Sequence, residues 1–177
     1  MAKRVGKYKI TKRESALNLT DGGDVSGIIA STSGINVAPV TLTPAATVTI
    51  TKAANSGRMN LIPSTASAND SYVLPTAEGV GESYRFCWSG VAADADNVLF
   101  RSSAADGLTF TGGVLQFDTD ETGAGIQTIA YPGADDDKLT ITNIQNCDLT
   151  FTATSTTNYH VTGYVMSTDT QTAFGDL

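Results

Sequence analysis

The chain has 177 residues and a formal charge of −7, from eleven Lys and Arg against eighteen Asp and Glu. Charged residues make up only 16% of it, against ~25% in an average soluble protein. That length suits one domain with its own core, and the acidic balance excludes a body that binds nucleic acid or an anionic membrane surface.

The basic residues are unevenly placed. Six of the eleven lie in the first thirteen positions: Lys3, Arg4, Lys7, Lys9, Lys12 and Arg13. No acidic residue interrupts them before Glu14, which leaves five basic residues against eighteen acidic ones, a charge of −13, for the rest. A like-charge block at a terminus marks an interaction arm, not a core. Val5, Tyr8 and Ile10 alternate loosely with these charges and suit an extended segment. No apolar stretch follows the basic block as in a secretory signal, and no run approaches the ~20 apolar residues of a membrane span. The expectation is a soluble protein made in a cytoplasm. Residues 14–36 are rich in Gly, Asp and Ser, with a turn signal at Asp21-Gly22-Gly23-Asp24. Residues 1–36 therefore read as a basic arm and irregular linker, and 37–177 as the folded domain.

From residue 37 onward strand follows strand. Val40-Thr41-Leu42-Thr43 and Val48-Thr49-Ile50-Thr51 alternate apolar and polar with period two, the pattern of half-buried strands. Pro44 separates them, since it cannot occupy a central strand. Further strands are predicted at 58–62, 72–75, 83–89, 97–102, 107–111, 113–118, 126–131, 138–143, 148–153 and 159–166. Gly112-Gly113 reads as the turn of a hairpin between 107–111 and 113–118. No segment of ten or more residues carries a helical period, and no strict repeat is evident. Many short strands with Gly, Pro, Asn and Asp between them predict an all-β fold, an antiparallel β-sandwich of jelly-roll-like form. The aromatic residues Tyr72, Tyr84, Phe86, Trp88, Phe100, Phe110, Phe117, Tyr131, Phe151, Tyr159 and Tyr164 suit the inner faces of two packed sheets.

Side chains that carry chemistry are sparse. Cys87 and Cys147 are sixty positions apart, with no CxxC pair and no nearby His, which argues against zinc. Both lie in strand-like runs, as buried thiols or as a disulfide between paired strands. The single histidine, His160, alternates with Tyr159 and Val161 and reads as an outward-facing strand residue. Asp118-Thr119-Asp120-Glu121-Thr122-Gly123 begins like a calcium loop, but the twelfth position is Ile129 where a bidentate Glu is needed. That segment reads as a solvated turn, and Asp135-Asp136-Asp137 as an exposed loop. Phosphate-cradling loops, dinucleotide fingerprints and nucleophile–histidine signatures are all missing from the sequence. No enzyme, metal or cofactor is expected.

The arm has two uses to weigh. Clustered Lys and Arg displace phosphate counterions, but six charges are few beside a body of −13. Docking onto an acidic protein fits better, because an alternating segment can add as a strand while its charges select the partner. A disordered tail that only aids solubility is the remaining reading.

One stretch resembles a known family. Tyr72-Val73-Leu74-Pro75-Thr76-Ala77-Glu78-Gly79-Val80-Gly81-Glu82-Ser83-Tyr84-Arg85-Phe86 reads as a strand, a Pro stop, a tight Gly turn and an antiparallel strand, and it resembles a segment of tailed-bacteriophage structural proteins in which a strand ending in Leu-Pro, a Gly-containing turn and a Tyr-x-Phe strand follow one another. The closing strands, ending in Tyr159-His160-Val161-Thr162-Gly163-Tyr164, are similar to the last strands of such domains. The resemblance covers roughly residues 60–166 and points to capsid decoration proteins, also called cement or head-fibre proteins. It implies a virion structural protein on the capsid exterior that binds the major capsid protein and forms a homotrimer. Neither nucleic acid nor membrane is an implied partner. The residues expected to touch the capsid are Lys3, Arg4, Lys7, Tyr8, Lys9, Lys12 and Arg13. The rival reading is a tail-fibre or head-fibre module that adheres to cell-surface glycans, with Trp88, Tyr131 and Tyr159 as exposed stacking platforms. A shell-forming capsid protein whose arm binds the genome is a further rival.

Overall fold

Period-two alternation becomes strand structure almost throughout the computed structural model. It describes residues 37–66, 69–91, 96–103, 107–120, 125–130, 136–168 and 173–176. The chain divides between Asn36 and Val37, and all of these residues fall on the C-terminal side. They form β1 (Val40–Thr41), β2 (Val48–Thr49), α1 (Lys52–Asn55), β3 (Met59–Ile62), β4 (Asn69–Val73), β5 (Ser83–Trp88), β6 (Asn97–Arg101), β7 (Thr109–Asp118), β8 (Ile126–Ala130), β9 (Lys138–Ile141), β10 (Ile144–Ser155), β11 (Asn158–Ser167) and β12 (Ala173–Gly175). The fold is all-β. One sheet has seven strands, in the order β1-β3-β5-β10-β11-β7-β8, and the other has five, in the order β12-β9-β6-β4-β2.

The antiparallel expectation is corrected: five of the ten strand pairings are parallel, so both sheets are mixed. The cause lies in how the chain travels. From β1 to β6 each strand belongs to the sheet opposite its predecessor. Two successive crossings reverse the direction twice, so each strand lies parallel to the next but one. This places β1, β3 and β5 in a parallel ladder (Val40 beside Asn60, Asn60 beside Phe86). A matching ladder of β2, β4 and β6 sets Val48 beside Tyr72 and Tyr72 beside Phe100. A parallel crossover usually needs a dozen or more residues, often a helix; here the intervening strand of the other sheet serves instead. The connectivity thereby departs from the paired Greek keys of a jelly roll. Among the described strands, only β7–β8 and β10–β11 are consecutive and pair directly.

Two local expectations change with it. The segment from Tyr72 to Phe86 is no hairpin, because β4 pairs with β2 and β6 whereas β5 pairs with β3 and β10. Gly112-Gly113 is no turn either: β7 runs unbroken from Thr109 to Asp118. Gly112 takes φ +101°, and a Cβ there would lie 2.3 Å from the Val161 carbonyl oxygen. The glycine is used for close approach to β11, not for reversal. Gly163 does the same on β11, with φ +133° and room for no Cβ beside the Asp148 carbonyl oxygen, 2.0 Å away.

Aromatic side chains from both sheets meet in one core. Phe86 of β5 and Phe100 of β6 lie 4.8 Å apart between ring centroids, and Phe151 of β10 lies 5.2 Å from Phe100 and 5.7 Å from Phe86. Tyr72 stacks on Phe100 at 5.6 Å, and Phe110 meets Phe151 edge-on at 5.4 Å. All five rings are fully buried. Asn60, buried in β3, donates through its amide to the carbonyls of Asn55 and Arg85 at 3.1 Å and so ties α1 to the ladder. Burying that amide is tolerable because its hydrogen bonds are made.

Phe100→Ala is expected to cost about 3–5 kcal/mol and to lower the thermal midpoint by roughly 10 °C, at ~2–4 °C per kcal/mol for a chain of this size. Gly163→Ala should cost at least about 1–3 kcal/mol through the backbone alone, more if β10 has to move. Thermal unfolding followed by circular dichroism checks both; a midpoint shift below about 2 °C in either would contradict the packing described.

Candidate functional site

Lys3, Arg4, Lys7, Tyr8, Lys9, Lys12 and Arg13 lie outside the described residues. Within the described body, the surface with the most distinctive chemistry is the outer face of the seven-stranded sheet. Alternation assigns its members. On β5, Tyr84, Phe86 and Trp88 point inward, leaving Ser83, Arg85 and Cys87 outside. On β11, Tyr159, Val161 and Val165 are buried, so His160, Thr162, Tyr164 and Met166 face out. Leu115 and Phe117 do so on β7. The register then aligns Cys87, Asp148, Tyr164, Leu115 and Thr128 in one row across the sheet.

The polar centre of this face is a fork between Arg85 and Asp148. Nε of Arg85 donates to Oδ1 at 2.9 Å and Nη2 donates to Oδ2 at 2.6 Å. The thiol of Cys87 donates to the same Oδ1 at 3.5 Å. The Arg85 hydrogen bond holds the Asp148 carboxyl below its ordinary range, and Asp148 in turn raises the guanidinium's pKa. Burial, with Asp148 adding to it, pushes the Cys87 thiol up. Cys147, next to Asp148 but turned inward, is raised above all by burial. Both cysteines are free, and at neutral pH both are thiols, not the thiolate that nucleophilic chemistry needs. The fork therefore holds β5 to β10 and leaves the centre of the face electrically neutral.

The remaining expected site residues sort as follows. His160 is exposed on β11, in the outward position its alternation indicated. Trp88 and Tyr159 are buried, which corrects their reading as exposed stacking platforms; Tyr131 lies outside the described residues. The Trp88 indole donates to the Val91 carbonyl at 3.1 Å and the Tyr159 hydroxyl to the Pro75 carbonyl at 3.2 Å. Burial pushes the Tyr159 phenol up to about 12. Asp136 is buried, its backbone carbonyl accepts the N–H of Phe110 at 2.7 Å, and the Asp137 carbonyl accepts the N–H of Ser102 at 2.9 Å, so these two residues are tied to Ser102 and Phe110 and are not a free loop. At Asp118, Oδ1 accepts the backbone N–H of Asp120 at 3.3 Å, an Asx turn; residues 121–124 lie outside the described residues. No group of three or more His, Cys, Asp or Glu that could hold a metal occurs among the described residues. None of the described helices is long and apolar enough to cross a membrane.

Sequence reasoning missed the apolar end of this face. Phe117 and Tyr164 were expected inside, but they lie outside, half-buried and edge-on at 6.1 Å. With Met166 they line an open groove of ≈ 310 Å³. The signal was present in Val114-Leu115-Gln116-Phe117 and Tyr164-Val165-Met166, where apolar residues occur on both parities of the strand.

Asp148→Asn should lower stability at neutral pH by up to about 1 kcal/mol, the range of exposed ion pairs. Because Asp148 titrates below its ordinary value when folded, its contribution is present above that value and fades as pH falls through the depressed one. Urea titrations from pH 7 to pH 2 should therefore show wild type and variant converging in acid. A difference that grows as pH falls would contradict the fork. No protein-family model matches the chain, and no curated protein matches it in sequence.

Proposed function

We propose that the chain is a non-enzymatic virion structural protein that decorates the outside of a tailed-phage capsid by binding the major capsid protein. The observation that carries the reading is the charge separation: +6 in side chains over residues 1–13 against −13 in the rest of a sparsely charged β chain. Such a body repels phosphate and anionic lipid, so a basic segment that must attract something is directed at an acidic protein surface. The resemblance of the closing strands, ending in Tyr159-His160-Val161-Thr162-Gly163-Tyr164, supports the same reading, whereas Tyr72 to Phe86 lends it less, because those two strands do not pair as a hairpin. In this reading, the two sheets pack as a β-sandwich and residues 1–36 supply the extended arm that binds the shell. Lys3, Arg4, Lys7, Tyr8, Lys9, Lys12 and Arg13 make the shell contact, and the bodies associate as a closed homotrimer.

The mechanism is mechanical. A protein that binds only the assembled shell raises the free energy of separating its subunits by mass action. No proton or group is transferred, and no cofactor takes part. Burial of Trp88 and Tyr159 weakens the glycan-adhesion alternative, because those rings cannot stack on a sugar.

Deleting residues 1–13 is expected to abolish co-sedimentation with empty tailed-phage shells while leaving the circular dichroism spectrum and thermal midpoint of the β body unchanged. Rising salt should weaken binding of the intact chain, since exposed charges are screened beyond about 10 Å at 0.1 M ionic strength. Undiminished pelleting of the truncated chain would refute the role of the arm. Retention on duplex DNA but not on shells would favour genome binding.

A further inference from the structure

The four outer strands of the two sheets are not equally protected. β1 and β2 have two residues each and β12 has three, whereas β8 has five. Very short edges are one way in which proteins prevent unwanted strand pairing; charges, Pro and bulges are others. β8 uses none of these devices. Its sequence is Ile-Gln-Thr-Ile-Ala, without a charge or a proline, and its pairing to β7 runs without a register shift from Ile126 beside Phe117 to Ala130 beside Gly113. Among the described residues β8 has β7 as its one strand partner, and an edge of this kind favours association.

The same edge adjoins exposed apolar surface. Residues directly opposite in a pair share a face, so Ile126 stands on the outer side with Phe117, and Leu115 stands with Tyr164. Ile126 is 62% exposed and Leu115 45%. Together with the groove of Phe117, Tyr164 and Met166 they make a contiguous apolar strip that ends at the open strand. Contiguous apolar surface on a soluble chain marks a contact site.

Charge identifies the occupant. Two copies of a chain at −7 repel each other wherever acidic surfaces meet. Yet the seven strands of this sheet contain only three Lys, Arg, Asp or Glu residues: Arg85, Asp118 and Asp148. Arg85 and Asp148 neutralise each other. Asp118 ends β7 on the parity opposite Leu115 and Phe117. A basic partner would gain nothing from the strip, and an acidic copy of the same chain meets no charge on the strip itself, with Asp118 and Asp120 only at its end after Phe117. We propose that the strip of Leu115, Phe117, Ile126, Tyr164 and Met166, with the open edge of β8, is the face on which copies of this chain associate. This deepens the self-association proposed above, by giving it a surface, and does not depend on what the arm binds.

Sedimentation equilibrium of the full chain tests it, comparing wild type with Leu115→Lys/Ile126→Lys and with Ile126→Glu alone. Both positions are exposed, so each variant should keep the wild-type circular dichroism spectrum and thermal midpoint. The single variant serves if the double one misfolds. The expected result is an oligomeric wild type and a variant whose dissociation constant is weaker by tenfold or more. A wild-type oligomer whose mass survives in a folded variant overturns this surface and leaves the oligomer standing. A wild type that is monomeric at 100 µM, a concentration of order ten to a hundred times that of ~1–10 µM complexes, overturns both. Shell pelleting of the variants separates either failure from that of capsid binding.

Discussion

The fold depends on contact between aromatic rings carried by opposite sheets. Phe100 of β6 reaches across to Phe86 of β5 and Phe151 of β10, while Tyr72 of β4 stacks on Phe100 from its own sheet. Rings of this size bury large apolar areas and prefer tilted or edge-on neighbours. In a chain with few charges and many short side chains, they supply much of the bulk available to a core. The alternating path of the strands follows from this. Each strand from β3 to β6 contributes inward residues to the same core from alternate sides. The chain therefore builds both sheets at once instead of finishing one before beginning the other.

That construction has a consequence at the edges. A ladder that grows by alternate crossing starts with one strand in each sheet, here β1 and β2, and both are cut to two residues. The other end of the five-stranded sheet closes on β12, of three residues. The seven-stranded sheet ends instead on β8, the second strand of a local hairpin, with no comparable shortening. Among the described residues β8 is thus the longest of the four outer strands, and it lies in the sheet whose outer charge is cancelled by the Arg85–Asp148 fork. A face that is neutral in an otherwise acidic body is where contact costs least in electrostatic repulsion.

The functional reading divides between two parts of the chain with opposite chemistry. The basic residues from Lys3 to Arg13 suit a partner that is acidic and different from the chain itself. The neutral outer face suits the chain's own copies. The two proposed contacts would draw on different physics, screened charge in one and apolar burial with strand edges in the other, so a kosmotropic salt would weaken the first and strengthen the second.

The strands themselves were legible in the residues. Alternation at Ser83–Trp88 and at Asn97–Arg101 indicated the strands, and Tyr84, Phe86 and Phe100 were rightly expected in the core; at Asn158–Ser167 it indicated the strand but not the side on which Tyr164 lies. The charge polarity and the outward position of His160 were equally readable. These are properties of period two and composition, which are local. Pairing is not local. Nothing in Tyr72 to Phe86 distinguishes a hairpin from a crossing, because a Pro stop and a Gly turn serve either, and the choice rests on which distant strands bury Tyr72 and Phe86. Gly112 reads as a turn until Val161 is placed against it. Phe117 and Tyr164 look like core until the register puts them on the outer face beside Ile126. The amino-acid sequence by itself determined that this chain is strand-built, apolar on alternate residues and charged at one end. Only the tertiary structure decided strand direction, sheet membership and the exposed side, because those depend on contacts between residues far apart in the chain, and such contacts leave no period in the sequence.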